Sequence, residues 1–141
     1  MSKIAVVYWS GTGNTESMAD AVAQGAKDKG AEVKLFTPDS FNSSMVDEFD
    51  AIAFGCPAMG AEELEESEFE PMFSDCESKL GGKKIALFGS YGWGGSYMQD
   101  WEARVQADGA ELLHPGVLAM GEPDDAARQE CKEIGSLLAK A

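Results

Sequence analysis

Basic residues are scarce in this sequence, and one long interval contains none. The 141 residues include 11 Lys and Arg against 25 Asp and Glu, so the formal net charge is −14 at pH 7. Between Lys34 and Lys79 no basic residue occurs, while the same interval carries twelve acidic ones. Such a negative field repels nucleic acids and anionic membrane surfaces and attracts basic protein surfaces. We therefore expect neither nucleic acid nor membrane as a partner.

Segments typical of membrane insertion, secretion or disulfide cross-linking are also missing. The first apolar run, Ile4 to Trp9, has six residues, which is too short for a transmembrane helix or a signal-peptide core. The three cysteines, Cys56, Cys76 and Cys131, are widely spaced, as expected for reduced thiols, and no His, Cys or carboxylate cluster has metal-ligand spacing. These features predict a cytoplasmic protein that folds as a single domain over residues 1–141.

Apolar stretches at regular intervals predict five buried strands. Four are short runs bounded by Gly, Pro or charged residues, namely Lys3 to Trp9, Glu32 to Thr37, Ala51 to Gly55 and Lys84 to Gly89. The fifth comprises Ala110 to Leu113 and Val117 to Ala119, with a bend at His114-Pro115-Gly116 because proline cannot donate to a strand ladder.

Apolar residues at helical spacing predict a helix after each of four strands. The helices are marked by Met18, Ala19, Val22 and Ala26; by Phe69, Met72, Phe73, Cys76 and Leu80; by Met98, Trp101 and Val105; and by Ala127, Cys131, Ile134 and Leu138. The segment Asp39 to Phe49 is ambiguous and is interpreted as a loop that contains a short helix. Alternating strands and helices predict an α/β fold, an open, doubly wound, five-stranded parallel sheet with helices on both faces.

Three unusual loops follow the first, third and fourth predicted strands. They are Ser10 to Thr15, Cys56 to Glu62, and Ser90 to Ser96. Open parallel sheets bind ligands beyond the carboxyl ends of their strands, so these loops are predicted to converge on one site.

The first loop has the composition of a phosphate cradle without a cation. Gly11 and Gly13 allow a tight turn that exposes backbone N–H groups at the positive end of the following helix. Hydroxyl and amide donors are added by Ser10, Thr12, Thr15 and Asn14. The lysine of a triphosphate-binding loop is absent, and Glu16 replaces the third glycine of a dinucleotide fingerprint. The loop therefore favours a monophosphate.

The loop after the fourth strand places Tyr91 and Trp93 among glycines, where nothing obliges them to be buried. Exposed aromatic residues at the carboxyl end of a strand usually cover something flat. Trp9 and Trp101, in contrast, are expected in the core. A flat ring system with a phosphate on a flexible tail would satisfy both loops, and flavin mononucleotide (FMN) is the obvious candidate.

Taken together, the three loops resemble those of a known family. SGTGNTE, GCPAMGAEELEESEFEP and LFGSYGWG follow the first, third and fourth strands, as in bacterial flavodoxins of the short-chain group from anaerobes. The resemblance covers essentially the whole chain, and the insertion that splits the fifth strand of long-chain members is absent. It implies the sheet order 2-1-3-4-5 and non-covalently bound FMN.

The resemblance also implies roles for individual residues. The FMN phosphate would lie against Ser10, Gly11, Thr12, Gly13, Asn14 and Thr15. The two faces of the flavin ring would meet Met59 and Trp93, and Glu62 would accept a hydrogen bond from flavin N3. The backbone of Ser90, Tyr91 and Gly92 would meet the pyrimidine edge, and the carbonyl of Gly60 would turn toward N5. Ala58 and Gly94 complete the implied site, whereas Ala61 stands where related sequences often have a polar residue.

The implied function is a low-potential one-electron carrier that serves redox enzymes as a ferredoxin-like donor. A carrier of this kind cycles mainly between a neutral semiquinone and an anionic hydroquinone, and nearby acidic residues make the anion costly to form. Its partners would be reductases and oxidoreductases of the ferredoxin and flavodoxin type with basic docking patches, and the carrier itself would be a monomer. The acidic run Glu62 to Glu70 is interpreted either as part of that docking surface or as a solvated face.

The alternative function is that of an FMN-dependent NAD(P)H reductase. Such an enzyme needs room and a positive group for a second nucleotide, and the three loops offer neither. A hydrolase is disfavoured because the single histidine, His114, lies on the predicted bend of the fifth strand, away from the loops. No residue is therefore assigned a catalytic or metal-binding role.

Overall fold

A parallel sheet between two layers of helices forms the fold. A computed structural model describes residues 2–11, 13–59, 63–92 and 95–140. The strands are β1 (Lys3–Tyr8), β2 (Glu32–Phe36), β3 (Ala51–Gly55), β4 (Lys84–Tyr91), β5 (Glu111–Leu112) and β6 (Val117–Met120). All pairs are parallel, in the order β2-β1-β3-β4-β5, and β6 also pairs with β4. The predicted sheet order is confirmed.

Helices cover both faces of the sheet, as predicted. They are α1 (Asn14–Lys27), α2 (Phe69–Cys76), α3 (Ser96–Ala107) and α4 (Asp125–Lys140). One apolar core lies between the sheet and the pair α1 and α4, and a second lies between the sheet and the pair α2 and α3. Successive strand residues point to opposite faces, so Val6 joins the first core and Val7 the second.

Short 3-10 helices occupy two places where the sequence pattern was ambiguous or misleading. The segment Asp39 to Phe49, interpreted as a loop with a short helix, is covered by two such helices, Pro38–Ser40 and Ser43–Glu48. The second helix is shorter than predicted, because α2 ends at Cys76 and a 3-10 turn over Glu77–Lys79 carries the chain to Leu80. β4 is longer than predicted, so Ser90 and Tyr91 are the last residues of a strand and not the first of a loop.

The fifth strand position is occupied by two short strands, and the break falls at the predicted bend. Both β5 and β6 pair with β4, and the N–H of Leu113 still donates to the carbonyl of Ile85 at 3.0 Å, so the break falls at residues 114–116. Pro115 has no N–H to donate. The N–H of Gly116 donates instead to the Glu102 carboxylate of α3 at 2.6 Å. A Cβ atom at Gly116 would lie 2.3 Å from the Met98 sulfur, so the bend is held tightly against α3.

Two glycines allow α1 and α4 to touch backbone to backbone. A Cβ atom at Gly135 of α4 would lie 2.0 Å from the carbonyl oxygen of Val22 in α1. A Cβ atom at Gly25 of α1 would lie 2.1 Å from the carbonyl oxygen of Lys132 in α4. Neither distance leaves room for a side chain. The packing of α4 against α1, which holds α1 in place, therefore depends on both glycines.

Arg104 ties α3 to α2 through a cluster of carboxylates. Its guanidinium donates to both oxygens of Glu70, at 2.7 and 2.6 Å, and to both oxygens of Glu77, at 2.6 and 3.0 Å. It also lies 4.9 Å from the centre of the Phe73 ring. The hydrogen bonds from Arg104 hold the pKa of Glu70 below its ordinary value. A guanidinium shared in this way makes a rigid, charge-paired link between the two helices.

Asp108, the residue after α3, is the poorly solvated member of this cluster. Its Oδ2 atom is buried and has no hydrogen-bond partner among the described residues. Desolvation raises the pKa of Asp108 to about 6, and the hydrogen bond to Glu77 and the repulsion from its charge act in the same direction. Attraction by Arg104 opposes the shift only in part. Asp108 therefore stays mainly protonated up to about pH 6 in the folded protein and is mainly ionised at neutral pH.

Replacement of Gly135 by alanine tests the contact between α1 and α4. Helix propensity alone would stabilise Gly135→Ala by roughly 0.5–1 kcal/mol. The clash with the Val22 carbonyl should reverse the sign, and we expect a net loss of roughly 1–3 kcal/mol in the free energy of unfolding. Urea denaturation measures the difference. Ser136→Ala, at the next position of the same helix, is the control and should change stability by less than about 0.5 kcal/mol. An unchanged or increased stability of Gly135→Ala would contradict the close contact.

Asp108→Asn tests the raised pKa. A carboxyl group whose folded pKa exceeds its unfolded value of 3.8 loses its stabilising contribution as pH rises toward about 6. The asparagine variant does not titrate, so its stability relative to the unmodified protein should increase between about pH 4 and 6 and stay constant above that range. Denaturation at a series of pH values measures this. Asp100→Asn removes the same charge from an exposed position of α3 and should not reproduce the profile, whereas parallel curves for Asp108→Asn would refute the assignment.

Candidate functional site

An open cavity lies at the carboxyl edge of the sheet, where the first, third and fourth strands were predicted to present their loops. Its volume is about 430 Å³, within the range of small-molecule sites. It is lined by Trp9, Gly11, Asn14, Pro57, Ala58, Met59, Ser90, Tyr91, Gly92 and Gly121. The three predicted loops therefore converge on one cleft, together with the residue that follows β6. None of these lining residues is basic.

The N-terminus of α1 opens toward one end of this cleft. Gly13 is its N-cap, with a left-handed φ of 94°, and no side-chain cap hydrogen bond is present. The first helical hydrogen bond runs from the N–H of Ser17 to the carbonyl of Gly13 at 3.0 Å. The N–H groups of Asn14, Thr15 and Glu16 therefore have no helical carbonyl to bind. Unsatisfied N–H groups at the positive end of a helix form an anion site.

The hydroxyls of the first loop have different surroundings. The Ser10 hydroxyl oxygen accepts a hydrogen bond from the N–H of Gly13 at 3.0 Å, which holds the turn and leaves the hydroxyl proton available to a ligand. The Thr15 hydroxyl is buried, with 1% of the residue exposed, and lies 3.2 Å from the Ser90 hydroxyl. Thr15 thus lies beneath the cleft and is not one of its lining residues.

Trp9 was expected in the core, and this prediction is correct only in part, because the residue packs against the core on the α2 and α3 side but is not fully buried. β1 ends at Tyr8, so Trp9 is the first residue beyond the strand; it is half-buried and lines the cleft. Its ring covers Gly11, where a Cβ atom would lie 3.0 Å from Cη2 of the indole. The position of Trp9 at the carboxyl end of a strand was the available signal, and the long apolar run before it obscured that signal.

The opposite end of the cleft is built by the segments after β3, β4 and β6. The N–H of Ala58 donates to the carbonyl of Ser90 at 2.9 Å, and the N–H of Gly121 donates to the carbonyl of Tyr91 at the same distance. Met59 is 38% exposed and presents an apolar side chain beside them. These hydrogen bonds clamp the three segments together and leave a shallow, largely apolar wall.

Pro57 and Gly121 were not among the predicted site residues. Gly121 could have been inferred, because the fifth strand position also ends at this edge of the sheet. Five predicted site residues, Thr12, Gly60, Glu62, Trp93 and Gly94, lie outside the described residues, as does Ala61. The roles that the resemblance implies for them stay predictions.

Glu65 fixes the C-terminal end of the loop that joins β3 to α2. Its carboxylate accepts hydrogen bonds from the N–H groups of Ser67 at 2.8 Å, Glu68 at 2.7 Å and Phe69 at 2.9 Å, and from the Ser67 hydroxyl. Burial works to raise the pKa of Glu65, but these hydrogen bonds outweigh it and lower the pKa to about 2. The carboxylate therefore stays ionised and holds the loop onto the start of α2.

The acidic run is consequently divided into structural and free carboxylates. Glu65 is buried, with 5% of the residue exposed, and Glu70 is paired with Arg104. Glu63, Glu66 and Glu68 are exposed. Only the exposed carboxylates of the run are therefore available to a docking surface or to solvent.

The thiol of Cys56 and the imidazole of His114 are not part of a catalytic or metal-binding cluster among the described residues. Burial raises the pKa of the Cys56 thiol to about 12, so it stays neutral; its sulfur accepts a hydrogen bond from the N–H of Glu65 at 3.3 Å. His114 lies between β5 and β6, with Nδ1 2.7 Å from the Pro115 carbonyl. Across residues 2–11, 13–59, 63–92 and 95–140, no three metal-ligating side chains form a site. The helices in these ranges are also too short or too polar to cross a membrane.

Sequence and structure comparisons agree with the geometry of the cleft. A sequence model of the flavodoxin family matches residues 6–135. The chain is 48% identical over 140 residues to a flavodoxin from Megasphaera elsdenii, covering 98% of this chain and 99% of that protein. It is 44% identical over 135 residues to a flavodoxin from Clostridium beijerinckii, covering 95% and 97%.

The solution structure of two-electron reduced Megasphaera elsdenii flavodoxin superposes with a TM-score of 0.91 at 47% identity. The superposition covers 98% of this chain and 99% of that one. The similarity to both relatives extends over nearly the entire length, so it is not confined to the glycine-rich loop. The chain therefore belongs to the flavodoxin family, whose members are flavin-binding electron carriers and not enzymes.

Proposed function

We propose that this chain carries single electrons on FMN that is bound non-covalently in the cleft. The observation that carries the proposal is the uncapped N-terminus of α1, which opens into a cleft lined by apolar side chains and backbone groups but by no basic residue. When bound, FMN supplies a ring that accepts and releases electrons one at a time. The alternative of an NAD(P)H reductase is not favoured by the relatives, which are named flavodoxins.

The phosphate would be held by Ser10, Gly11, Gly13, Asn14 and Thr15, with Thr12 in addition. The N–H groups at the start of α1 supply partial positive charge, so a lysine is unnecessary for one phosphate. The Ser10 hydroxyl, already oriented by the N–H of Gly13, has a proton to donate. Glu16 and the negative field of the chain would oppose a longer polyphosphate.

The ring would lie against Ala58, Met59, Ser90, Tyr91 and Gly92, with the roles of Gly60, Glu62, Trp93 and Gly94 as the family resemblance implies. Met59 offers a partly exposed, polarisable side chain for one face of the ring. The clamp between Ala58 and Ser90 fixes the two walls of the cleft relative to each other. We add Trp9 to the proposed site, because its ring lies against Gly11 in the first loop.

Redox proteins with basic patches are the proposed partners, and reductases and oxidoreductases of the ferredoxin and flavodoxin type fit this description. The exposed carboxylates of Glu63, Glu66 and Glu68 follow the loop that forms one wall of the cleft. Weak, salt-sensitive encounters are typical of electron-transfer pairs. We propose a monomeric, cytoplasmic carrier, and the three buried free cysteines are in keeping with a reducing compartment.

Titration with FMN tests the cofactor and the site together. The purified protein should bind one equivalent of FMN, measured by quenching of flavin fluorescence, and coulometric reduction of the complex should proceed in two separate one-electron steps. Gly11→Ala forces the Trp9 ring to move and should weaken FMN binding by about tenfold, equivalent to about 1.4 kcal/mol. In the control Gly81→Ala, the new Cβ atom would lie 3.7 Å from its nearest neighbour, and binding should not change.

Failure of the protein to bind FMN would remove the proposed site. Uptake of both electrons in a single step would agree with the proposed site but contradict the proposed one-electron carrier. It would favour the alternative function, an NAD(P)H reductase.

Charge removal tests the docking surface. The FMN-loaded triple variant Glu63→Gln, Glu66→Gln and Glu68→Gln should reduce a basic electron acceptor, cytochrome c, several-fold more slowly at low ionic strength, and the difference should vanish in high salt. The control triple variant removes the same charge at Glu111, Glu130 and Glu133, which are exposed on β5 and α4. Equal slowing in both variants would show that net charge, and not a local surface, governs the encounter.

A further inference from the structure

The sulfur atoms of this chain differ in their exposure to an oxidant. The three cysteines, Cys56, Cys76 and Cys131, are buried, and burial raises the pKa of each thiol to about 12. Almost no thiolate therefore forms at neutral pH, and the thiolate is the form of cysteine that peroxides oxidise. Among the described residues, the sulfur atoms open to a peroxide are those of methionines.

Two of the described methionines have exposed side chains. Met120, the last residue of β6, is 68% exposed, and Met59, in the segment after β3, is 38% exposed. Met45 is partly buried. The others are at most 6% exposed, namely Met18, Met72 and Met98. Met59 lines the cleft, whereas Met120 is not among its lining residues.

The backbone around Met59 is held in place and has no free donor. The N–H of Met59 donates to the carbonyl of Glu63 at 2.9 Å, and the N–H of Ala58 donates to the carbonyl of Ser90 at the same distance. Pro57 has no N–H, and the side chains of Pro57 and Ala58 have no polar atom. The thioether of Met59 thus lies on an apolar wall, and the neighbouring segment offers no hydrogen bond to an added oxygen atom.

Oxidation of this thioether would make the wall polar. A hydroperoxide, ROOH, transfers one oxygen atom to the sulfur, so that the O–O bond breaks, an S–O bond forms and ROH leaves. The sulfur loses two electrons, which the peroxide gains, and the product is methionine sulfoxide. The new oxygen would be desolvated against a flat ring without a donor, or the side chain would turn away from the ring. Both outcomes weaken the contact between an apolar, polarisable sulfur and an aromatic ring.

We infer that Met59 is a site of reversible oxidation by peroxides, and that its oxidation and the binding of FMN oppose each other. The inference rests on the proposed function, because it needs the flavin ring in the cleft. Bound FMN would cover the sulfur and slow its oxidation, and the sulfoxide would weaken the binding of FMN, since coupling between two events is reciprocal. A methionine sulfoxide reductase with a dithiol as reductant supplies the two electrons and two protons that restore the thioether and release water.

Peptide mass spectrometry after treatment with hydrogen peroxide in the dark measures the rate of oxidation at each methionine. Without FMN, sulfoxide should form at both Met59 and Met120. At a free FMN concentration about ten times the dissociation constant, the rate at Met59 should fall about tenfold, whereas the rate at Met120 should not change. Met120 is a control within the same molecule, because it meets the same concentration of peroxide.

Titration of the oxidised protein with FMN measures the effect of the sulfoxide. The dissociation constant, obtained from quenching of flavin fluorescence, should rise about tenfold or more after peroxide treatment. It should return to its starting value when dithiothreitol and methionine sulfoxide reductases for both sulfoxide epimers are added.

Two leucine variants identify the residue responsible. Met59→Leu keeps an apolar side chain of similar volume that peroxide does not oxidise, so its dissociation constant for FMN should be the same before and after treatment. Met120→Leu is the matched control and should lose affinity on treatment as the unmodified protein does.

The outcomes separate the inference from the proposed function. If the untreated protein does not bind FMN, the proposed function is wrong and the inference falls with it. If FMN binds but Met59 resists peroxide, is not protected by FMN, or is oxidised without loss of affinity, the inference alone is overturned. Equal losses of affinity in Met59→Leu and the unmodified protein would also overturn it, because the damage would then lie at another residue.

Discussion

Parallel pairing of the central strands is the constraint on which the cleft depends. Because β1, β3 and β4 run in the same direction, the chain leaves all three at one edge of the sheet. The loops that follow these strands are distant in sequence, yet they meet there without any covalent or metal cross-link among the described residues. Tight contact between α1 and α4 supports one face of this arrangement, and the Arg104 cluster supports the other.

The electrostatic potential at the cleft depends on where individual charged and polar groups lie, and not only on the net charge of the chain. A net charge of −14 makes the proposed binding of an anion in the cleft unexpected at first sight. The resolution is local: backbone N–H groups at an open helix start provide the positive potential, and no basic side chain lines the cleft. Acidic residues near the cleft serve two purposes, since Glu65 and Glu70 stabilise the fold while Glu63, Glu66 and Glu68 remain free.

Residues with strong local signals were predicted well from sequence. The alternation of buried strands with amphipathic helices predicted the sheet and the helices on its two faces. Both ends of β3 were predicted correctly, because its apolar run is short and sharply bounded. Predictions failed where the outcome depends on contacts with distant segments. β4 continues through Ser90 and Tyr91 because β6 pairs with it there, and nothing in the local sequence indicates that partner. Trp9 looked like a core residue because it ends an apolar run, and only the structure shows that it also lines the cleft, with its N–H still donating to the carbonyl of Gly55.

The sequence by itself therefore determined the fold class and the edge of the sheet at which the segments after β1, β3 and β4 meet. These properties follow from local composition and spacing, which act within a turn or a strand. Only the tertiary structure decided which carboxylates are buried or exposed, that Trp9 faces the cleft, and that the hydroxyls of Thr15 and Ser90 meet 75 positions apart in the chain. The physical reason is that burial and hydrogen bonding between distant segments depend on how the layers pack, and no local pattern encodes that packing.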